Sequence, residues 1–471
     1  MNFSLPTLTG TIAFVVLVID IITIWRVLNS KREPTSTIAW CLLVLLIPFF
    51  GFLIFYLFGR NTIAKPIGEK RRKSLSYRSL RKGRQAVNPE NTEIVRLAAK
   101  VGASPLIAGN SIALYHDGQT AFEAMIEAIS AAKHHIHLEM FIFRNDRLGN
   151  QFVDLLIEKA KAGVEVRFLY DAIGSWKLQR KTIRDLKLSG VKVSPFLTLL
   201  NPLWRRFQIN LRNHRKILVV DGQIGFTGGF NIGTEYLGES SFFGNWRDTL
   251  IEVRGPGVRS MQELFAEDWD FACGERLEAE KYFQSTNSGT HAVQLAWSGP
   301  DQEIKAIREI YLAAMMQAKS RIWLVTPYFV PDTALMDALI IAARMGRDVR
   351  IVLPFRPDKW VPLLASRYYW STLLSAGVQI YQYTAGFIHA KYLLVDDSWA
   401  SVGSANFDNR SMFLNFEVTA ILHHQDLIAP LSEQFLKDCE LSIHLQADTF
   451  AQRPLISKMA ENACRLLSPI L

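Results

Sequence analysis

The chain has 471 residues, of which 49% are hydrophobic, and 53 Lys and Arg against 44 Asp and Glu give a formal net charge of +9. This length excludes one small domain and suits two domains with appendages. The four cysteines form no Cys-x-x-Cys pair, which argues against a disulfide framework and a structural zinc site.

The first 59 residues predict a membrane anchor. Residues 8–25 are apolar except for Asp20, and residues 37–58 are apolar throughout, so each stretch is long enough to cross a hydrocarbon core as a helix. A cleaved signal peptide is the alternative, but residues 1–7 contain no basic segment. We predict a retained hairpin of two transmembrane helices. Asp20 is either a functional or helix-pairing group, or it marks a shallow helix.

The next stretch, residues 60–104, is predicted to be a basic juxtamembrane linker. Between residues 60 and 84, ten Lys or Arg accompany the single acidic residue Glu69, and this excess of +9 equals the net charge of the whole chain. The remainder is balanced, which argues against a nucleic-acid-binding surface. Beside a membrane helix, such a run indicates the cytoplasmic face and anionic lipid head groups. Arg26, Lys31 and Arg32, between the predicted helices, weaken that contrast.

From about residue 105, short apolar strands alternate with amphipathic helices, and the pattern occurs twice. Residues 132–143 match residues 318–329, and helix-like stretches at 150–162 and 333–345 follow, ending at Gly163 and Gly346. The sequence therefore predicts an α/β fold with one half at 105–295 and a second at 296–471. Such halves can face each other across a pseudo-two-fold axis.

Each half carries one copy of a His-x-Lys-x4-Asp motif. The copies are His214, Lys216 and Asp221, then His389, Lys391 and Asp396, followed by Gly-Gly-Phe-Asn ending at Asn231 and Gly-Ser-Ala-Asn ending at Asn406. The residues after each Lys are apolar and predict a buried strand, on which His and Lys two positions apart share a face. An imidazole and an ammonium at one spot favour a phosphate site. One active site at the junction of the halves is the natural inference.

The paired motifs resemble the phospholipase D superfamily, and within it the bacterial cardiolipin synthases. Residues 211–216, 228–233, 246–248 and 386–391, the double apolar leader and the ending Leu-Ser-Pro-Ile-Leu all carry the resemblance. It implies two tandem pseudo-symmetric α/β/α sandwich halves after two transmembrane helices, in a bacterial inner membrane. The implied activity transfers a phosphatidyl group between two phosphatidylglycerol molecules and releases glycerol, with no metal or cofactor. A homo-oligomer is one option.

The residues support this chemistry, since an imidazole can act as nucleophile or as proton donor. By resemblance, His214 is expected to be the nucleophile and His389 the acid/base, with Asp248 orienting His214 and Glu417 orienting His389. Asp221 and Asp396, although part of the catalytic motif, are expected to hold a turn or a salt bridge. The groups expected to bind the phosphoryl oxygens are Lys216, Lys391, Asn231, Ser404 and Asn406.

Two further groups of polar residues have competing interpretations. His134, His135, His137 and Glu139 have the spacing of metal ligands, but structural positions are the stronger interpretation. The aromatic and basic residues of 204–207 and 360–370 favour either a membrane interface or ordinary packing.

Two other functional classes stay open besides the lipid transferase. One is a different chemistry at the same site, as a hydrolytic phospholipase D or a nucleic-acid phosphodiesterase. The other is a non-enzymatic membrane scaffold. Confinement of the excess positive charge to residues 60–84 speaks against the nuclease, and the two intact motifs speak against the scaffold.

Overall fold

The computed structural model describes residues 5–29, 34–48, 50–55, 64–78, 93–197 and 211–471. The α-helices are α1 (Leu5–Leu28), α2 (Pro34–Leu46), α3 (Phe50–Ile54), α4 (Ala64–Arg78), α5 (Glu93–Val101), α6 (Gly118–Ala131), α7 (Arg147–Lys161), α8 (Arg180–Leu188), α9 (Val258–Cys273), α10 (Ala306–Gln317), α11 (Thr333–Arg344), α12 (Trp360–Ser375), α13 (Gln425–Glu440), α14 (Ala447–Ala451) and α15 (Leu455–Arg465). The strands are β1 (Ile107–Tyr115), β2 (His135–Met140), β3 (Glu165–Tyr170), β4 (Lys192–Pro195), β5 (Ile217–Val220), β6 (Ile224–Gly228), β7 (Trp246–Arg247), β8 (Leu250–Arg254), β9 (His291–Ser298), β10 (Arg321–Val325), β11 (Phe329–Val330), β12 (Asp348–Pro354), β13 (Gln379–Tyr383), β14 (Phe387–Ile388), β15 (Tyr392–Val395), β16 (Trp399–Gly403), β17 (Phe407–Asp408), β18 (Glu417–Leu422) and β19 (Ser442–His444).

The N-terminal unit, residues 1–67 with 199–208, contains α1, α2 and α3. Val27, Val44 and Phe55 form its small core. None of the described helices combines the length and the apolar character needed to span a membrane. The second predicted span is not one helix, because α2 ends at Leu46 and α3 starts at Phe50. Pro48 lies between them, and proline has no N–H to continue a helix.

The second unit, residues 68–198 and 209–471, begins inside the predicted basic linker. Three basic side chains of α4 pair with carboxylates of the second unit, whereas Arg72 is exposed. Lys70 forms ion pairs with Glu267 at 2.6 Å and Asp268 at 2.5 Å, and is completely buried; Arg71 pairs with Glu303 and Lys73 with Asp270. Lys70, Arg71 and Lys73 are therefore engaged by carboxylates, and residues 60–63 and 79–92 lie outside the described residues.

Fifteen of the described strands form one mixed sheet in this unit, in the order β19-β13-β12-β10-β15-β16-β18-β9-β1-β8-β6-β5-β2-β3-β4. Apart from β19, the order reads symmetrically outward from the β9–β1 pair, so that β18 corresponds to β8, β15 to β5 and β10 to β2. The two predicted halves thus share one continuous sheet. β9 crosses the predicted boundary at 295/296.

Both faces of the sheet are covered by helices, which makes each half an α/β/α sandwich. In β5 the side chains alternate: Leu218 and Val220 pack in the core under α6 and α7, whereas Ile217 and Val219 pack in the core under α9 and α13. A strand buried on both faces must be apolar at every position. This accounts for the unbroken apolar run after Lys216.

The internal repeat is confirmed by corresponding elements. The matching stretches form β2 and β10, each in parallel register with the strand after the next helix, β3 and β12. The helices α7 and α11 end just before Gly163 and Gly346, whose φ angles of 90° and 82° are left-handed, as expected for a glycine after a helix C-terminus.

Candidate active site

Each motif places its histidine and lysine at the entrance of a buried strand, β5 or β15. His214 and His389 are each 7% exposed, while Lys216 and Lys391 are 1% and 2% exposed. A buried strand cannot accommodate cations without partners, so the polar residues gather where the strand begins. The motif spacing therefore brings both pairs to the junction of the halves.

The carboxylate partners of the histidines are exchanged between the halves. His214 Nδ1 lies 3.0 Å from Glu417 Oε2, and His389 Nδ1 lies 2.6 Å from Asp248 Oδ2. The sequence-based assignment of Asp248 to His214 and Glu417 to His389 was wrong. All four residues lie at the site, but each histidine is oriented by the opposite half.

Backbone contacts explain the exchange. The His214 N–H donates to the Phe416 carbonyl at 2.9 Å, directly before Glu417. In the other half, β14 pairs in parallel with β7, and the His389 N–H donates to the Arg247 carbonyl at 2.7 Å, directly before Asp248. The residues leading into each motif strand therefore lie along the carboxylate strand of the opposite half.

The two carboxylates have different surroundings. Glu417 accepts hydrogen bonds from Ser404 Oγ at 2.5 Å and from Asn415 Nδ2 at 3.1 Å. Burial raises the pKa of Glu417, but His214, Lys216 and the Ser404 hydroxyl outweigh burial, and the net pKa is lowered. Glu417 is therefore ionised at neutral pH.

Asp248 has a glycine where Glu417 has a serine. The Thr249 N–H donates to Asp248 Oδ1 at 2.8 Å. A Cβ atom on Gly229, which corresponds to Ser404, would stand 1.9 Å from that same oxygen. Gly229 is thus required by the close approach of Asp248, and the missing hydroxyl of the first half has a steric cause.

The two lysines are held beside the histidines at reduced pKa. Burial lowers the pKa of Lys216 to about 7 and that of Lys391 to about 8, although carboxylates nearby oppose the change. Lys216 Nζ donates to the His214 carbonyl at 2.6 Å. Lys391 Nζ donates to the His389 carbonyl and lies 2.9 Å from His389 Nδ1. An anion placed between these ammonium groups would restore their charge.

Burial lowers the pKa of His214 to about 4 and the pKa of His389 to about 3. Both imidazoles are therefore neutral at pH 7 without substrate. Because each Nδ1 faces a carboxylate, Nε2 is the nitrogen available for chemistry. Both rings line one cleft of about 740 Å³, a size typical of ligand sites.

The remaining predicted phosphate ligands differ in position. Asn231 lines the cleft; its Oδ1 accepts from the Ile142 N–H at 3.1 Å and its Nδ2 donates to Tyr236 at 2.5 Å. The Ser404 hydroxyl is engaged by Glu417. Asn406 is buried, and its Oδ1 has no hydrogen-bond partner within the described residues.

The motif aspartates lie at the opposite ends of β5 and β15 from the histidines. Asp221 accepts hydrogen bonds from the N–H groups of Lys133, His134 and His135, each at 2.8 Å. Asp396 accepts in the same way from residues 319–321. Both aspartates have positive φ angles, 54° and 52°. They fix a turn to the start of β2 or β10, away from the cleft.

A buried ionic network behind His214 was missed by the sequence reasoning. Arg215 Nη1 binds Asp268 at 2.5 Å, and Asp268 also binds Lys70 of α4. Arg215 Nε donates to the Glu417 carbonyl at 3.2 Å, so the network reaches the carboxylate strand of the other half. The available signal was the alternation itself, because Arg215 lies between two site residues and must face the other way.

Two more predicted positions are accounted for. His137 Nδ1 lies 2.9 Å from Gln262 Oε1, and its ring stacks on Phe265 at 4.6 Å, which makes it a core residue. Asp171, whose role the sequence left open, accepts from the Asn213 N–H at 2.9 Å and so fixes the residue before His214. The predicted basic-aromatic stretch at 204–207 lies outside the described residues.

Two imidazoles that line one cleft, each with a carboxylate from the opposite half and a buried lysine beside it, define a phosphoryl-transfer site of the phospholipase D type. A family model described as "Cardiolipin synthase, PLD-like domain" matches residues 125–269 and 311–439, and one described as "Phospholipase_D-nuclease N-terminal" matches residues 18–60. The chain belongs to the cardiolipin synthase family of phospholipase D-like proteins.

Similar proteins cover nearly the whole chain. A cardiolipin synthase of Geobacillus kaustophilus is 41% identical over 98% of this chain and 92% of that protein. A cardiolipin synthase 2 of Bacillus anthracis is 41% identical over 94% of this chain and 88% of that protein. Among solved structures, a phosphatidylserine synthase of Haemophilus influenzae superposes with a TM-score of 0.61 at 14% identity, covering 81% of this chain and 100% of that one, which supports the fold.

Proposed function

We propose that the protein is a cardiolipin synthase that transfers a phosphatidyl group from one phosphatidylglycerol to another and releases glycerol. The observation that carries the proposal is the meeting of both histidines, one from each half, at one cleft. A reaction in two displacement steps needs a nucleophile and a proton carrier on opposite sides of one phosphorus.

In the first step, His214 Nε2 attacks the phosphorus of the donor lipid. The bond from phosphorus to the glycerol oxygen breaks, and His389 gives its Nε2 proton to the departing glycerol. The product is a phosphatidyl group on His214. Glu417 stabilises the positive charge that the His214 ring gains in this step, and Asp248 stabilises the protonated His389 ring before it gives up its proton.

In the second step, the primary hydroxyl of another phosphatidylglycerol attacks the same phosphorus. His389 accepts the hydroxyl proton, the phosphorus–nitrogen bond to His214 breaks, and cardiolipin leaves. Lys216, Lys391 and the amides of Asn231 and Asn406 would bind the phosphoryl oxygens and offset their growing charge. Water in place of the second lipid would give phosphatidic acid, so exclusion of water decides between transfer and hydrolysis.

The protonation states fit a site that becomes active when an anion binds. A neutral His214 is the form that can attack phosphorus, whereas His389 must carry a proton to assist the leaving group. The phosphodiester charge raises the pKa of His389 and of both lysines when it enters the cleft. With substrate bound, His389 therefore takes up from solvent the proton that it lacks in the free enzyme at neutral pH.

We further propose that residues 1–59 hold the enzyme in a bacterial cell membrane, with the two halves on the cytoplasmic side. Support comes from the exposed apolar side chains of α1, among them Phe14, Leu17, Ile21 and Trp25, which are 56–67% exposed. Such side chains favour a hydrocarbon surrounding.

The test is product analysis with full-length protein in detergent and phosphatidylglycerol as the sole lipid, with and without a chelator. Equal amounts of cardiolipin and glycerol are expected, and chelator should not change the rate. Phosphatidic acid would identify a hydrolase, and no product from pure lipid would refute the donor and acceptor proposed. His214→Ala and His389→Ala should each abolish turnover, and mass spectrometry of acid-labile adducts should place the phosphatidyl group on His214.

A further inference from the structure

Three exposed aromatic residues are direct chain neighbours of residues that line the cleft. Trp176, Phe242 and Trp360 are 70%, 62% and 69% exposed. Each is the chain neighbour of a residue that lines the cleft, namely Lys177, Phe243 and Lys359. They come from three separate parts of the chain, after β3, before β7 and at the start of α12.

Side-chain contacts connect Trp176 and Phe242 to residues that line the cleft, and a hydrogen bond connects Phe242 to the loop before Trp360. Lys177 Nζ lies 5.4 Å from the centre of the Trp176 ring, and the Phe242 ring meets the Phe243 ring at 4.8 Å. Arg356, from the loop that leads to Trp360, donates to the Phe242 carbonyl at 3.4 Å. We call Trp176, Phe242 and Trp360, with Lys177 and Lys359, the cleft rim.

The tryptophans of the rim are unusual within the second unit. Among its described residues, Trp176 and Trp360 are the exposed tryptophans, and the other described tryptophans there are 7% exposed or less. Exposure of a tryptophan ring to water is energetically unfavourable. A large apolar ring with one polar N–H suits the boundary between lipid and water. Two such residues beside one opening indicate a surface that is covered during function.

The charges of the cleft rim favour an anionic binding partner. Three carboxylates also line the cleft: Glu235 pairs with Arg144 at 2.9 Å, whereas Asp146 caps the N-terminus of α7 and Asp358 accepts a hydrogen bond from the neutral Tyr328 hydroxyl. Lys177 and Lys359 form no ion pair with any described carboxylate; Lys359 only lies 5.4 Å from the Tyr328 ring centre. Free lysines beside exposed aromatic rings match the composition of a surface that binds anionic bilayers.

We propose that the cleft rim docks on an anionic lipid bilayer, so that the phosphate of a lipid reaches the histidines while its acyl chains stay in the membrane. The inference rests on the proposed function for the identity of the substrate. Trp176, Phe242 and Trp360 enter the head-group region, and Lys177 and Lys359 contact lipid phosphates. Each lysine is expected to contribute about fivefold to bilayer affinity at low salt.

The experiment compares two forms of the same substrate with full-length protein. One is long-chain phosphatidylglycerol in vesicles into which the protein is reconstituted, and the other is short-chain phosphatidylglycerol present as monomers. The ratio of the two rates should fall at least tenfold in the Trp176→Ala/Trp360→Ala double variant. Leu188→Ala is the control, because Leu188 is 80% exposed on α8 and no part of the rim. An unchanged ratio, or an equal loss on both substrates, would overturn the proposal.

A second readout does not need turnover. Vesicles of brominated phosphatidylglycerol should quench the tryptophan fluorescence of the wild type more than that of Trp176→Phe/Trp360→Phe. Lys177→Gln/Lys359→Gln should weaken this quenching and its dependence on salt. Equal quenching in all three proteins would refute the docking of the cleft rim on the bilayer, even if the enzyme makes cardiolipin. If the wild type is quenched more than the variants but makes no cardiolipin, the proposed function is refuted and the docking of the cleft rim is supported.

Discussion

Replacement of Lys216 by methionine should stabilise the protein while inactivating it. Burial lowers the pKa of Lys216 from 10.5 to about 7, so holding this ammonium in the folded state at neutral pH costs about 4 kcal/mol. Methionine has a similar length and no charge. It loses the hydrogen bond to the His214 carbonyl, which is worth about 1 kcal/mol. The expected gain is roughly 3 kcal/mol, or about 4 °C in Tm for a unit of this size.

The pH dependence fixes the sign of this effect. Between pH 7 and 10.5, Lys216 binds a proton in the unfolded chain that it does not hold in the folded protein. Wild-type stability should therefore rise with pH across this window, and the advantage of Lys216→Met should shrink towards zero near pH 10. Lys391, with its pKa of about 8, acts in the same direction in both proteins.

The assay is thermal unfolding of the full-length protein in detergent at pH 7 and pH 10, alongside activity on phosphatidylglycerol. Lys187→Met is the matched control, because Lys187 is an exposed residue of α8; its effect should stay below about 0.5 kcal/mol. A lower Tm for Lys216→Met at pH 7, or a gain that persists at pH 10, would refute the reasoning.

Three more predictions concern neighbouring groups. Gly229→Ala should reduce kcat about 100-fold, because the added Cβ would displace Asp248 from His389. Ser404→Ala should reduce kcat only about fivefold. Similar losses of kcat in the two variants would contradict this prediction. Glu417→Gln should lower kcat/KM about 10- to 100-fold by removing the charge of a charge-assisted hydrogen bond, measured as initial cardiolipin synthesis; a loss under threefold would count against it. Asp396→Ala should lower Tm, because three backbone N–H groups lose the carboxylate to which they donate. The kcat at 25 °C should stay within about threefold of the wild-type value. A much larger loss of kcat in folded protein would show that Asp396 takes part in catalysis.

The sequence predicted the repeat and the meeting of the motifs because these depend on local rules. Alternation along a strand places His214 with Lys216, and an unbroken apolar run predicts burial on both faces. Gly163 and Gly346 mark helix ends because glycine adopts the left-handed backbone conformation found there without steric strain. Each of these inferences needs only a few consecutive positions.

The exchange of carboxylates could not be predicted in this way. It depends on backbone pairing between residues that are 203 and 141 positions apart, and no local pattern specifies which half a short strand will accompany. The same limit applies to Lys70, whose charge predicts an exposed position but whose partners, Glu267 and Asp268, lie 197 and 198 positions away. The presence of Pro48 could have predicted that residues 37–58 do not form one helix. The uniformly apolar composition of this stretch favoured a single helix instead.

The exchanged carboxylates also bear on how such a gene could arise and change. A chain containing one half alone would carry a histidine without the carboxylate that orients it, so a protein with a single motif would need a second copy, fused or as a dimer partner, to complete either histidine pair. After fusion, a substitution at Glu417 appears as a defect of the first motif and one at Asp248 as a defect of the second. Exchanging one half for that of a distant homologue is therefore expected to disturb both histidine–carboxylate pairs at once.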